Sequence, residues 1–205
     1  GFITTLFAAI ATYLLFVLRH KEDEDTKAIT SGIIPNKNIF RIIAIILLFA
    51  AGAFEINYQF NYYYPGTKIN MLYLVLYSVA FMSILTVVAQ KVKQLQLHWY
   101  VTATMLAACI VFYFMSLPQT MHIQKGILES HKNNNQFIAH WAGALLVGVL
   151  FYRLIQLIRN NKALLKNNFD LITWLLCTAV VIYLSVEIFL FSNSIFYAAN
   201  NSLEN

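Results

Sequence analysis

The sequence predicts an all-α fold, a polytopic bundle of six transmembrane helices with both chain termini outside the membrane. The first observation is composition: 60% of the 205 residues are hydrophobic and 11% are charged, whereas soluble domains average about half apolar and about a quarter charged residues. The second is the mean hydropathy of +0.63. A globular core of this size does not require so much apolar surface, so lipid must cover the excess.

The first three predicted spans cover residues 2–18, 39–56 and 69–89. Each is a continuous apolar run of the length, about 17 to 25 helical residues, that crosses the hydrocarbon layer. Arg19 bounds the first run and Arg41 interrupts the second. The stem of an arginine at such a position extends toward the headgroups. The third run contains no charged residue.

The other three predicted spans cover residues 97–116, 137–157 and 171–191. The first of these is uncharged, the second contains Arg153 and the third contains Glu187. The runs are continuous rather than alternating, and a backbone in lipid must satisfy its hydrogen bonds within its own segment. We therefore expect helices in all six runs.

The basic residues predict the orientation of the chain. Eleven of the 14 Lys and Arg residues lie in or beside the loops after spans one, three and five, and only Lys68, Lys125 and Lys132 lie on the other side. Loops rich in Lys and Arg stay in the cytoplasm. Both termini are therefore expected outside, and the net charge of +5 follows from this asymmetry.

Residues 1–205 are predicted to form one transmembrane segment. The chain opens with Gly1 and Phe2 and enters a span at once, without the charged region and cleavage site of a signal peptide. We therefore expect it to be part of a longer polytopic chain. Pro35, Pro65 and Pro118 are expected in loops, and residues 117–136 are expected to form the longest outer loop.

The predicted partners are the lipid bilayer and further spans of the same chain or other membrane proteins. Nucleic acid is not expected, because the basic residues flank the spans instead of forming one patch. Cys109 and Cys177 lie inside spans, where a thiol usually packs as a small apolar group. No Cys/His spacing resembles a zinc site, so the sequence predicts no metal and no cofactor.

Polar residues within the spans predict a candidate pocket. Ionisable groups at membrane depth are costly and normally face protein or water. Projected on the predicted topology, six such residues gather toward the outer side: Glu55, Tyr73, Tyr77, His140, Tyr183 and Glu187. Within them, Tyr73 and Tyr77 are four residues apart, as are Tyr183 and Glu187, so each pair shares a helix face.

A structural interpretation of the same residues stays open. Glu55 and Glu187 lie close to the predicted ends of their spans, where a carboxylate reaches interfacial water at little cost. His140 with Trp141, and the tyrosines, are typical of the aromatic belt at the membrane–water boundary. In that case the six residues are interfacial anchors and not a pocket.

Two functional hypotheses follow. The first is a multi-spanning scaffold or transporter-like bundle without chemistry of its own. The alternative is an outer-face enzyme, or a protein handling a lipid or envelope substrate, that uses the outward-facing pocket. The outer loops contain no paired carboxylates and no Gly-rich phosphate cradle, so a role without catalysis is favoured.

Two short motifs carry a family resemblance. Gly-Ala-Phe-Glu-Ile at 52–56 precedes a Tyr-rich turn, and a later span runs from Trp174 to Leu-Ser-Val-Glu-Ile at 184–188. This pattern resembles a bacterial family of predicted membrane proteins, the domain-of-unknown-function family numbered twenty-three thirty-nine. The resemblance implies long chains with many spans and no established activity, and it implies that Glu55 and Glu187 match recurrent span-terminal glutamates. It also implies the bacterial inner membrane.

Overall fold

A computed structural model describes residues 37–91, 98–129, 137–165 and 168–203 of the chain. In these ranges it contains five α-helices: α1 (Lys37–Tyr63), α2 (Asn70–Lys91), α3 (Trp99–Glu129), α4 (Ile138–Asn160) and α5 (Phe169–Leu203). All five are long and apolar enough to cross a membrane. They correspond to predicted spans two to six. The first predicted span, 2–18, lies outside the described residues, as does Pro35.

Three helices run on past the predicted ends of their spans. The prediction ended these spans at Ile56, Ser116 and Phe191, whereas α1, α3 and α5 end at Tyr63, Glu129 and Leu203. Pro118 therefore lies inside α3 and not in a loop. The predicted outer loop at 117–136 was wrong over its first 13 residues, 117–129, which are helical. Polar residues lowered the hydropathy there, but they do not stop a helix.

The continuation of α1 has a local physical cause. Its last two turns are rich in tyrosine and amides, which suit a helix entering the membrane–water boundary. Pro65 and Gly66 follow at once, and Gly66 has φ 77°, a backbone conformation that glycine adopts without steric cost. The Tyr-rich segment predicted as a turn is thus helical to Tyr63, and the reversal itself occupies residues 64–69.

Helices α2 and α4 lie at the centre of the bundle. Helix α2 packs against α1, α3 and α4, and α3 also packs against α4. The main core joins apolar side chains of α2, α3 and α4 with Tyr183 of α5. Its fully buried members include Val79, Leu106, Tyr113, Val147 and Leu150. This arrangement leaves α1 and α5 at the periphery.

Helix α5 is the least buried of the five. Only 6% of its most apolar stretch is buried inside the protein, against 39% for α4. Large side chains such as Trp174 and Leu175 are exposed along it. A face of this kind requires lipid or another helix as its neighbour.

Helices α1 and α2 form an antiparallel hairpin through paired side chains. Near its turn, the Asn70 amide donates to Asn57 at 2.7 Å, and the rings of Phe60 and Tyr73 stack at 4.2 Å. Further from the turn, Phe49 stacks on Tyr77 at 5.5 Å. Helix α1 begins at Lys37 and α2 ends at Lys91. In an antiparallel hairpin these two positions lie at the same end of the bundle.

Candidate functional site

The structure divides the six predicted pocket residues between two places. His140, Tyr183 and Glu187 meet where α3, α4 and α5 come together. Glu55, Tyr73 and Tyr77 lie on the α1–α2 hairpin. A single functional pocket containing all six residues stays a prediction.

His140 and Glu187 are in direct contact across α4 and α5. Nε2 of His140 lies 3.1 Å from Oε2 of Glu187, which is a hydrogen-bond distance. If the imidazole is protonated, the same contact is also an ion pair. The side chains are 3% and 13% exposed, respectively. Glu187 and His140 therefore both have a protein partner, and the imidazole is buried. An interfacial position for the two residues stays a prediction.

Tyr113 completes the contact from α3. Its hydroxyl donates to Oε1 of Glu187, so each carboxylate oxygen has its own partner. The Tyr113 side chain is almost fully buried, at 1% exposed, and its ring is stacked on that of His140. Three helices thus converge on one carboxylate. We refer to His140, Glu187 and Tyr113 as the polar cluster.

Tyr113 was missed by the sequence analysis. It lies among Val111, Phe112 and Phe114 in an apolar run, where a tyrosine looks like any other core residue. The chain has 12 tyrosines, so residue type alone does not distinguish it. Its position gave no signal either, because the predicted span ended at Ser116, close to the boundary where tyrosine is common.

Tyr183 supports the cluster without joining its bonds. Its hydroxyl donates to the backbone carbonyl of Ala144 on α4 at 2.8 Å, and its ring packs at an angle against Tyr113. A Cβ added at Gly148 of α4 would lie 3.8 Å from the Tyr183 hydroxyl, an ordinary van der Waals distance, so the approach of Tyr183 does not require a glycine there.

Aromatic rings close the cluster on the side of α4. Phe137, which is fully buried, lies with its ring centre 4.8 Å from that of His140. Trp141 lies at 5.2 Å and reaches Phe191 of α5 at 5.7 Å. These rings exclude water from the imidazole and strengthen its bond to the carboxylate, because charges interact more strongly in a low dielectric.

Glu187 lies well inside its helix. It is 18 residues after Phe169 and 16 before Leu203, which puts it about 27 Å from the start of α5 at about 1.5 Å per residue. The prediction that it lies near the end of its helix was wrong, because α5 continues beyond the apolar run. Its carboxylate has neighbours of the protein to compensate it and does not rely on a nearby helix end.

A second polar contact joins α3 and α5 beyond the cluster. The amide of Gln124, only 3% exposed, donates to the Leu190 carbonyl at 2.7 Å and to the Ser194 hydroxyl at 2.8 Å. Within the described parts of the chain, every buried side-chain nitrogen and oxygen has a hydrogen-bond partner. Around residues 183–194, α5 is therefore joined to its neighbours by satisfied polar contacts as well as by packed rings such as Phe191 on Trp141.

The other three predicted residues take part in the hairpin. Glu55 accepts a hydrogen bond from Gln59 one turn later, at 2.6 Å. Tyr73 stacks on Phe60, and the Tyr77 hydroxyl donates to the Phe49 carbonyl at 3.2 Å. Helix α1 continues two turns beyond Glu55, so this carboxylate also lies inside a helix and not at its end.

The donor set of the cluster suits a proton better than a metal ion. It offers one imidazole, one carboxylate and one phenol. No group of three or more His, Cys, Asp or Glu side chains occurs among the residues that the structure describes. What these groups can do chemically is hold and exchange a proton along the Nε2–Oε2 contact.

Comparison with known proteins adds no relative. No protein-family model, no curated protein and no solved structure matches the chain. The family resemblance stays a prediction.

Proposed function

We propose that the protein works as a transporter-like membrane bundle and that the polar cluster is its proton-binding site. The observation that carries the proposal is the position of Glu187: it lies inside an apolar membrane helix, and each of its carboxylate oxygens contacts a side chain from a different helix. Ionisable residues within spans are rare and expensive, and they mark proton or substrate pathways.

The geometry supports binding of one proton without loss of the contact. With the imidazole neutral, its Nε2–H donates to the carboxylate and the pair carries one negative charge. After one proton is added, the pair is neutral, either as imidazolium with carboxylate or as imidazole with carboxylic acid. A hydrogen bond spans the 3.1 Å between Nε2 and Oε2 in each state, and Tyr113 remains the donor to Oε1.

A second proton would have a different effect. The imidazolium Nε2–H would still donate to Oε2, but the acid proton would then have no acceptor on the imidazole and would have to point elsewhere. A buried donor left unpaired costs about 1–3 kcal/mol. Since the cluster joins α5 to α3 and α4 by polar bonds, proton uptake would act directly on the attachment of this helix.

The proposed setting is the bacterial inner membrane, with both termini outside. The asymmetry of 11 basic residues against three supports it. In this orientation His140, two residues after the start of α4, lies toward the outer side. The cluster would then exchange protons with the external medium.

The proposal is tested by Glu187→Gln in the full-length protein. Glutamine keeps the shape and most hydrogen bonds of glutamate but does not ionise at neutral pH. We expect normal extracted yield and a melting temperature near that of the wild type, together with a loss of at least tenfold in proton uptake by proteoliposomes under an imposed pH gradient, measured with an internal pH-sensitive dye.

Glu129→Gln provides the matched control. Glu129 is an exposed glutamate near the end of α3, paired with Lys125 at 3.6 Å, and its substitution should leave proton uptake unchanged. If Glu187→Gln assembles normally and takes up protons at the wild-type rate, the proton-binding role is wrong. The cluster would then only join helices, as in the scaffold hypothesis.

A further inference from the structure

An apolar groove lies between α1, α2 and α3. Helices α1 and α3 both pack on α2, and between them they leave a cavity of about 400 Å³. Its floor is one face of α2, with Leu74, Ser78 and Met82. One wall is the Ile45–Phe49–Ala53 face of α1, and the other is the Met105–Cys109–Phe112 face of α3.

The lining of the groove is almost wholly apolar. The hydroxyl of Ser78 already donates to the Leu74 carbonyl of its own helix at 2.7 Å, and the other lining residues are apolar or, in the case of Cys109, a thiol. The occupant of this part of the groove must therefore be a hydrocarbon. All three helices are candidate membrane spans, so the supply of hydrocarbon is the bilayer.

The volume fits a single acyl chain. Pockets that bind small molecules measure about 300–1,000 Å³, and this cavity of about 400 Å³ lies toward the lower end of that range. A whole transmembrane helix, about 10 Å across, is much larger than this cavity. The groove therefore matches one lipid tail lying along α2.

Three basic residues of the sequence fall at one end of the α1–α2 hairpin. In the antiparallel hairpin, Lys37 and Arg41 lie in the first turns of α1, and Lys91 ends α2 at the same end of the bundle. Arg41 is four residues before Ile45, about 6 Å along the helix axis, and Lys91 is nine residues after Met82, about 14 Å. A lipid phosphate at the level of these residues would place its tail in the groove. The opposite turn, 64–69, has Lys68 as its one basic residue.

We propose that this groove binds one acyl chain of an anionic phospholipid whose phosphate is held by the basic ends of α1 and α2. Basic sites between transmembrane helices bind anionic headgroups. The apolar contact of the tail is the same for a zwitterionic lipid, so it does not distinguish the two kinds of lipid. The charge therefore sets the headgroup preference, and the groove sets the number of lipids that remain bound.

The test is native mass spectrometry of the full chain released from micelles containing equal amounts of phosphatidylglycerol and phosphatidylcholine with identical tails. We expect one retained lipid, with phosphatidylglycerol favoured at least fivefold. Ala108→Phe adds a ring to the α3 wall of the groove and should lower the retained fraction at least fivefold. The matched control is Val111→Phe on the same helix, at a side chain that is 55% exposed and does not line the groove.

A second pair of variants tests the headgroup. Arg41→Gln with Lys91→Gln should remove the preference for phosphatidylglycerol while a lipid is still retained, whereas Arg159→Gln on α4 should not change it. Ala53→Phe fills the groove from α1, so it repeats the test if Ala108→Phe lowers the melting temperature. Equal retention in Ala108→Phe, Ala53→Phe and Val111→Phe would overturn the groove as the site, and equal retention of both lipids by the wild type would overturn the role of charge.

Discussion

Gly52 is the position where the α1–α2 hairpin leaves no room for a side chain. A Cβ placed there would lie 2.9 Å from Cε2 of Tyr77 and closer still to its hydroxyl. Gly126, also inside a helix, has nothing within 4 Å of such a Cβ. The two glycines therefore differ in steric surroundings while sharing a helical backbone.

We predict opposite effects for alanine at these two positions. Gly126→Ala should raise stability by up to about 1 kcal/mol, because alanine loses less backbone entropy in a helix. Gly52→Ala should lower stability by about 1–3 kcal/mol, because Tyr77 must move off its carbonyl partners. Thermal unfolding in detergent measures both. A Gly52→Ala protein as stable as Gly126→Ala would show that Tyr77 yields without cost.

The sequence allowed part of the polar cluster to be predicted at the level of single residues. His140 and Glu187 stand out because an ionisable group in an apolar run must have a compensating partner. The identity of that partner depends on how α3, α4 and α5 rotate against one another, and this rotation leaves no trace in a uniformly apolar sequence. Tyr113 could not be selected for that reason, and Glu55 could not be separated from Glu187.

At the scale of elements, α3 illustrates where hydropathy fails as a guide. Its sequence after Ser116 contains Pro118, Gln119, Thr120 and Gln124, which predicted a loop. The helix nevertheless continues to Glu129, and its hydroxyl groups donate to its own carbonyls, Ser116 to Tyr113 at 2.6 Å and Thr120 to Ser116 at 3.1 Å. Polar side chains that bond within their own helix or to a neighbouring helix do not end it, and the buried Gln124 bonds to α5.

Replacing Gln124 by leucine should loosen the end of α5. The change removes the donors to the Leu190 carbonyl and the Ser194 hydroxyl, each worth about 0.5–1.5 kcal/mol. We expect amide hydrogen exchange over residues 190–203 to become about tenfold faster, measured by mass spectrometry in micelles. Gln156→Leu, at an exposed site on α4, should leave this exchange unchanged. Equal exchange in the two variants would contradict a stabilising role for Gln124.

At the scale of the whole molecule, composition correctly predicted an all-helical bundle with helices able to span a membrane. Five of the six predicted spans correspond to helices of the described chain. The packing order, with α2 and α4 inside and α1 and α5 outside, could not be predicted, because lipid and protein interior are equally apolar and hydropathy does not distinguish a helix facing one from a helix facing the other.

The predicted orientation is testable with single cysteines in a background lacking Cys109 and Cys177. Thr67 lies in the α1–α2 turn and Lys162 in the turn between α4 and α5, and both are exposed. With the 11 basic residues on the cytoplasmic side, an impermeant thiol reagent on intact cells should label Thr67→Cys and spare Lys162→Cys. Both should react after permeabilisation. The reverse pattern in intact cells would invert the topology.

The attachment of α5 reverses the usual relation between a protein and its solvent. In a water-soluble protein, water drives the elements together by expelling apolar surface. Here α5 has little buried surface, and hydrogen bonds at 183–194 help to join it to its neighbours. Water competes for those bonds. Surroundings without water therefore strengthen the attachment of α5, and water weakens it. A short-chain detergent that admits water should release α5 first, while the central helices stay together.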